Sequence, residues 1–143
     1  MSRFTKKNID QLLESSDYMT LVELQAIIFG LPKCSHSLPD YGLPIPAFVF
    51  VEALTWFAQA NRSGVWTYFE ATTIERQEAM LSALQLFGAP SFAEKYQFGI
   101  ANWQDIKEMK TLDCWMAETD NICTVWLREL LTHHSQELQP LFE

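Results

Sequence analysis

The most apolar segment of the chain runs from Ile45 to Ala60, and its apolar residues cover most of the circumference of a helix. Pro46 suits the first turn of that helix, where its missing amide costs no hydrogen bond. Glu52 and Gln59 are the strongly polar residues inside the segment. Because a helix that is apolar on nearly every side is usually buried on several sides, the pattern predicts a central helix around which the others pack.

Shorter segments on both sides of this helix carry apolar residues three and four positions apart, which is typical of amphipathic helices. The spacing predicts further helices at about 5–14, 20–29, 73–87, 91–98, 102–109 and 121–138, with a short helical turn at 65–70. No alternating segment and no Asn-Gly or Asp-Gly hairpin dipeptide indicates a β-strand. The sequence therefore predicts an all-α fold: a single compact domain over residues 1–143, with about six to eight helices around the central one.

Three of these helices begin with a capping-box pattern, in which a hydroxyl side chain and a carboxylate three residues later each bond to a backbone amide. The boxes begin at Thr20, Thr72 and Ser91. Asn102 and Asp120 are the expected caps of the last two helices, because short polar side chains of this kind favour the N-cap position.

Residues 30–44 contain three prolines and two glycines, which are incompatible with a regular element. Irregular segments this long are uncommon in compact domains and are usually functional or mobile. A pocket between this loop and the central helix is therefore one candidate site, with Glu52, His36, Tyr41 and Tyr68 as its polar groups. Cys34 and His36 supply only two ligands, which do not make a metal site, so neither a metal nor another cofactor is expected.

Glu52 has two interpretations in the middle of this apolar helix. We favour a partly exposed or hydrogen-bonded carboxylate on the thin polar side of the helix. The alternative is a buried functional carboxylate, since burial disfavours the charged form of such a group. No catalytic triad, HExxH, phosphate-binding glycine loop or CxxC pattern is present, and the sequence therefore favours a non-enzymatic protein over an enzyme.

The chain carries 18 acidic and 10 basic residues, for a formal net charge of −8. Residues 111–143 hold six of the acidic residues and one basic residue. This balance disfavours direct contact with nucleic acid or an anionic membrane, since phosphate contacts need clustered Lys and Arg. A basic protein partner is favoured instead, and the candidate acidic interaction surface comprises Asp113, Glu118, Asp120, Glu129 and Glu137.

Three cysteines without metal-ligand spacing fit a reducing, cytoplasmic setting. No signal peptide is expected at the N-terminus, and no apolar window of 18 or more residues predicts a membrane span. Five tryptophans are many for this length, and most of them are expected in the core. Exposed members among Trp103, Trp115 and Trp126 would lie on the interface of a homodimer, which is a further alternative.

Residues 62–69, Arg-Ser-Gly-Val-Trp-Thr-Tyr-Phe, and residues 83–89, Ala-Leu-Gln-Leu-Phe-Gly-Ala, carry a resemblance to a known family. They resemble a bacterial domain family of unknown function that includes a DNA-mimic protein. Its pattern reads Asn-Gly-Gly-Phe-x-Gln-Tyr-Phe, then a helix and Ala-Leu-x-x-Ile-Gly-Ala, with a Leu-Asp pair before the last helix. Leu112-Asp113 is similar to that pair, and the family-like region covers about residues 48–138.

The chain keeps the family pattern at the positions that shape the backbone and the core, namely Gly64, Tyr68, Phe69, Leu84 and Gly88. It departs from the pattern at residues 62, 63, 65 and 67. The resemblance implies an all-α fold with tight turns at the glycines. It also implies, for the DNA-mimic member, contact with a protein through carboxylates placed where phosphates would lie, which needs a denser acidic surface than the scattered one here.

Two functions stay open on these grounds. The favoured one is a protein-interaction factor with an acidic surface, of the regulator-binding, inhibitor or immunity type. The other is a small-molecule-binding domain or small enzyme, with its pocket between the 30–44 loop and the helix at 45–60.

Overall fold

The computed structural model describes residues 18–87 and 90–142, apart from the side chains at positions 90, 120, 121, 139 and 142. Within these ranges the protein is all-α, with eight α-helices and no strand, as the sequence predicts. The predicted helix at 5–14 lies outside the described residues. The helices are α1 (Tyr18–Phe29), α2 (Ile45–Arg62), α3 (Val65–Ala71), α4 (Ile74–Leu86), α5 (Pro90–Asn102), α6 (Ile106–Glu118), α7 (Asp120–His133) and α8 (Ser135–Leu138), followed by a 3-10 turn at Gln139–Phe142.

The predicted central helix is confirmed as α2. It contacts α1, α3, α4, α6, α7 and α8, and from Pro46 to Leu54 every residue of it is buried. Its large apolar side chains fill the middle of the core, because they project in every direction from the helix axis. The largest of those that are fully buried are Phe48, Phe50, Leu54 and Trp56.

The start of α4 confirms a hydroxyl cap, one residue later than predicted. Thr73, not Thr72, occupies the N-cap, and its Oγ1 accepts a hydrogen bond from the backbone N–H of Arg76 at 3.2 Å. The shift places the hydroxyl three residues before the amide that it accepts from, which is the capping geometry.

The other predicted caps are wrong. Thr20 already lies inside α1, Ser91 is the second residue of α5, and Asn102 is the last residue of α5. Asp105 caps α6, where its Oδ1 accepts from the N–H groups of the two residues at 107 and 108. Thr119 occupies the N-cap position of α7, one residue before Asp120. Short polar residues recur along helical segments, so their presence alone does not locate the first turn.

Helix α5 extends four residues beyond its predicted end at Phe98, because Gly99 continues the helix instead of ending it. This glycine lies inside the helix and is buried. A Cβ atom built on it would come 2.1 Å from Cζ of Phe69, so the glycine permits a close approach of α5 to α3 and does not end the helix. Gly99 is therefore a packing residue at the crossing of these two helices.

The predicted irregular loop at 30–44 is confirmed as a series of turns. Tyr41 takes the left-handed backbone conformation with φ of 59°, and Asp40 Oδ1 accepts from the N–H of Gly42 at 2.9 Å. Arg76 of α4, which the periodicity places on the outer face, instead donates to three backbone carbonyls of the loop, those of residues 36, 38 and 39. The loop is thus tied to α4 by one guanidinium group.

Across the residues described, no helix is long and apolar enough to cross a membrane.

Candidate functional site

Three of the four polar residues predicted for a pocket near α2, namely Glu52, Tyr41 and Tyr68, form a buried hydrogen-bond network instead of lining an open cleft. Tyr41 donates to Glu52 Oε1 at 2.7 Å, and Tyr68 donates to Glu52 Oε2. The hydroxyls of Tyr68 and Tyr96 are 2.6 Å apart. Glu52 is 1% exposed, so the expectation of partial exposure is wrong. The hydrogen bonds of the favoured interpretation and the burial of the alternative one are both observed.

The direction of these hydrogen bonds follows from the number of protons that each hydroxyl can donate. A tyrosine hydroxyl has one proton to donate, and Tyr68 gives its proton to the carboxylate. Tyr96 must therefore donate to the oxygen of Tyr68. Burial raises the pKa of the Tyr41, Tyr68 and Tyr96 hydroxyls above the ordinary value, and the nearby Glu52 charge raises them further. The three hydroxyls stay protonated as donors, which is what the carboxylate needs inside an apolar core.

His36 and Cys34 do not join this network. His36 lies at the surface, and the centroid of its ring is 5.5 Å from that of the Tyr41 ring. Burial raises the pKa of the Cys34 thiol, which disfavours the thiolate form that a cysteine nucleophile uses. Among the described side chains, no group of three or more His, Cys, Asp and Glu residues is placed to hold a metal ion.

The predicted acidic surface divides into exposed and bound carboxylates. Glu118, Glu129 and Glu137 are exposed, and Glu137 pairs with His134 at 3.0 Å. Asp113 is half-buried, and its Oδ1 accepts from the backbone N–H of Val65 at 2.8 Å, which fixes α6 to the first turn of α3. The side chain of Asp120 lies outside the described residues.

Helix α7 exposes apolar side chains next to one of these carboxylates, Glu129. Ile122 and Val125 are 61% and 48% exposed, and they line a shallow cleft of about 410 Å³ with Phe92, Trp126 and Glu129. The rings of Phe92 and Trp126 stack with centroids 4.2 Å apart, which gives the cleft a rigid aromatic floor. Large apolar side chains grouped on a surface in this way usually mark a contact site.

A second surface groove, of about 560 Å³, lies between the turn at 63–64 and helix α6. Trp66 and Trp103 form its aromatic walls, and the groove also contains charged side chains of α6. We call it the tryptophan groove. Trp66 is 41% exposed, whereas the core encloses Trp56 fully. The other three tryptophans pack against the core from partly buried positions, so each of them also presents part of its ring to the surface.

Two functional features escaped the sequence interpretation. Tyr96 reaches the network only because α5 approaches α3 closely, and no local pattern distinguishes it from other core aromatic residues. The exposure of Trp66 could have been found, because its neighbours Val65, Tyr68 and Phe69 occupy the buried face of α3 and leave Trp66 on the outer one. No protein-family model, curated protein or solved structure matches this chain, and the resemblance to the DNA-mimic family stays a prediction.

Proposed function

We propose that this chain is a non-enzymatic protein-interaction factor that binds a basic, amphipathic segment of a partner protein. The contact surface is the exposed side of α7, with the end of α6, and comprises Glu118, Ile122, Val125, Trp126 and Glu129. We call it the docking face. The single observation that carries the proposal is that Ile122 and Val125 project into solvent beside Glu129, a carboxylate that has no cationic partner among the described residues.

The spacing of the docking face fits a helical or extended partner segment. Residues 125 and 126 lie three and four positions after residue 122, and residue 129 lies four and three positions after them, so all four share one side of α7. Covering an exposed isoleucine or valine removes apolar surface from water and contributes about 1.5–3 kcal/mol for full burial. The aromatic pair beneath them is already stacked, so binding would not have to order it first.

The negative charge of the docking face determines which charge its partner is expected to carry. Glu118 and Glu129 are exposed, and the whole chain carries a net charge of −8. Complementary charge accelerates encounter and excludes partners of the same sign. A segment with Lys or Arg on either side of apolar residues matches both parts of the surface. Because exposed charges are screened by salt, the complex is expected to weaken at high ionic strength.

The buried network does not support the alternative of an enzyme with Glu52 as its reactive group. A general acid or base must come within hydrogen-bond reach of its substrate, while Glu52 is enclosed by the core and engaged by two tyrosines. Its arrangement supports a stabilising role.

A designed peptide with the chemistry of the expected partner segment tests the proposal. The probe is a peptide of about 18 residues with Leu and Lys at amphipathic helical spacing, and its acidic counterpart carries Glu in place of Lys. Titration calorimetry should detect binding of the basic peptide and not of the acidic one. Replacing Ile122 and Val125 together by Ser should weaken binding about tenfold or more, since about 1.4 kcal/mol corresponds to a factor of ten.

The matched control is Ile74→Ser on α4, where an isoleucine that is 69% exposed lies away from the docking face. This variant should bind the basic peptide as the unmodified protein does. If the Ile122/Val125 double variant binds with unchanged affinity, the docking face is not the contact surface.

A further inference from the structure

The tryptophan groove has the dimensions and lining of a small-molecule site. Its volume of about 560 Å³ lies in the range of about 300–1,000 Å³ that is usual for ligand pockets. The indoles of Trp66 and Trp103 supply aromatic walls, and Ile106 and Met109 add an apolar surface between them. The groove lies on α3 and α6, on residues that the docking face does not use, so it stands apart from the proposed function.

A fixed carboxylate borders this apolar space. Asp113 is held in place because its Oδ1 accepts the backbone N–H of Val65, 48 residues away in the sequence. Its other oxygen, Oδ2, has no hydrogen-bond donor among the described residues within bonding distance. A carboxylate held by one oxygen keeps acceptor capacity on the other. The groove therefore presents an oriented acceptor that no donor of the described chain occupies.

Gly64 allows the backbone to pass close to the indole of Trp66 beside this carboxylate. A Cβ atom at this position would lie 3.1 Å from Cδ1 of Trp66 and 3.7 Å from Oδ2 of Asp113. The backbone of Gly64 has φ of +98°, a conformation that residues with side chains rarely adopt. The absence of a side chain at Gly64 thus lets the indole of Trp66 lie close against the backbone, beside the carboxylate.

A cation borders the same groove one turn earlier on α6. Lys110 lies three residues before Asp113, so the two side chains share a side of the helix. They form no ion pair within 4.0 Å in the described structure. Lys107 and Asp105 border the adjoining cleft at the start of α6. Because they carry opposite charges, together they favour neither a cationic nor an anionic ligand. The groove itself offers one positive and one negative group next to an aromatic surface.

We propose that the tryptophan groove binds a small zwitterion of the amino-acid class with an aromatic or branched apolar side chain. The ligand ammonium group would donate to Asp113 Oδ2 and lie near the indole of Trp66, where a cation is attracted by the ring face. Its carboxylate would pair with Lys110, and its side chain would pack on Trp103 and Ile106. A ligand with both charges pairs with Asp113 and with Lys110, whereas a simple cation or anion would pair with one of these residues and be repelled by the other.

The test compares L-phenylalanine with two analogues that each lack one charge, phenethylamine and 3-phenylpropionate. Binding is followed by the shifts of the Trp66 and Trp103 indole N–H signals in nitrogen–proton correlation spectra. We expect L-phenylalanine to shift both signals and to bind about tenfold or more tightly than either analogue. Each analogue lacks one hydrogen bond between charged groups, and the free energy of such a bond corresponds to about a tenfold change in affinity.

Two variants assign the charges. Asp113→Asn keeps an oxygen for the Val65 N–H and removes the negative charge, so it should weaken the binding of L-phenylalanine and strengthen that of 3-phenylpropionate. Lys110→Gln removes the positive charge, so it should weaken the binding of L-phenylalanine and strengthen that of phenethylamine. The proposal would be overturned by equal affinity for all three compounds, by an unchanged affinity for L-phenylalanine measured at the Trp103 signal of Trp66→Ala, or by no shift of either indole signal with any compound. Circular dichroism of each variant confirms that it is folded.

Discussion

The buried network around Glu52 and the docking face on α7 both contain carboxylates, but in opposite environments. In the network, a carboxylate and three tyrosines satisfy one another in the dry core. On the docking face, Glu118 and Glu129 are exposed beside apolar side chains that the fold leaves uncovered. A carboxylate with its donors in place serves the fold, and a carboxylate without them is available to another molecule. The groups that stabilise the fold and the proposed docking face therefore lie in different parts of this small domain.

The largest expected effect is at the centre of the network. Glu52→Ala should lower the free energy of unfolding by about 3–5 kcal/mol, because it leaves the hydroxyls of Tyr41 and Tyr68 without an acceptor and opens a cavity. Urea denaturation followed by circular dichroism measures the loss. Glu78→Ala, at an exposed position on α4, is the matched control and should leave the midpoint nearly unchanged. A loss at Glu52 below about 1 kcal/mol would show that the network does not stabilise the core.

High pH should destabilise the protein through the same network. The folded state keeps protons on Tyr41, Tyr68 and Tyr96 at pH values where the unfolded chain loses them, since burial raises the pKa of each hydroxyl. The unfolded state then binds fewer protons, so stability falls as pH rises above the ordinary tyrosine pKa of about 10 and is fully present below it. Each hydroxyl contributes a slope of about 1.4 kcal/mol per pH unit.

Urea denaturation at several alkaline pH values measures this slope, and tyrosine absorbance in the near ultraviolet follows the ionisation itself. Tyr96→Phe removes one of the three titrating hydroxyls and should reduce the fall of the unfolding free energy with pH by about one third. A slope that is the same in Tyr96→Phe as in the unmodified protein would contradict the assignment of Tyr96 to the network.

Close packing of α3 against α5 gives the next largest effect. Gly99→Ala should cost about 1–3 kcal/mol, because the added methyl group would overlap the ring of Phe69, although alanine alone favours a helix. Gly30→Ala is the control, since a Cβ atom there meets its nearest neighbour at an ordinary 3.5 Å. Both variants are compared by thermal unfolding, and an equal change in the two would show that the contact at Gly99 is not restrictive.

The central helix and the burial of its apolar residues could be predicted from the sequence, because a helix that is apolar on all sides leaves water only when other helices surround it. The convergence of Glu52, Tyr41 and Tyr68 was also within reach, since all three adjoin that helix or its loop. The position of Tyr96 was not, because it depends on the contact between Gly99 and Phe69, two residues 30 positions apart. The tryptophan groove was missed for the same reason: Asp113 and Gly64 meet only in the folded chain.

The smallest expected effect on stability is at the docking face. Replacing Glu118 and Glu129 together by Gln should leave the urea midpoint nearly unchanged, because exposed charges without partners contribute little to folding. The network variants should show the opposite profile, with lower stability and unaltered peptide binding while folded. A large loss of stability in the Glu118/Glu129 variant would show that these carboxylates serve the fold.

The most direct test of the account is the affinity of the Leu-Lys peptide for two charge variants, Glu118→Gln/Glu129→Gln and Glu75→Gln/Glu78→Gln, which remove the same charge from different faces. Titrations are made at about 0.05 M and about 0.5 M salt, where screening differs strongly. We predict that only the first variant binds about tenfold or more weakly at low salt, and that the difference shrinks at high salt. Equal losses in the two variants would contradict a specific docking face and would reduce the interaction to the net charge of the chain.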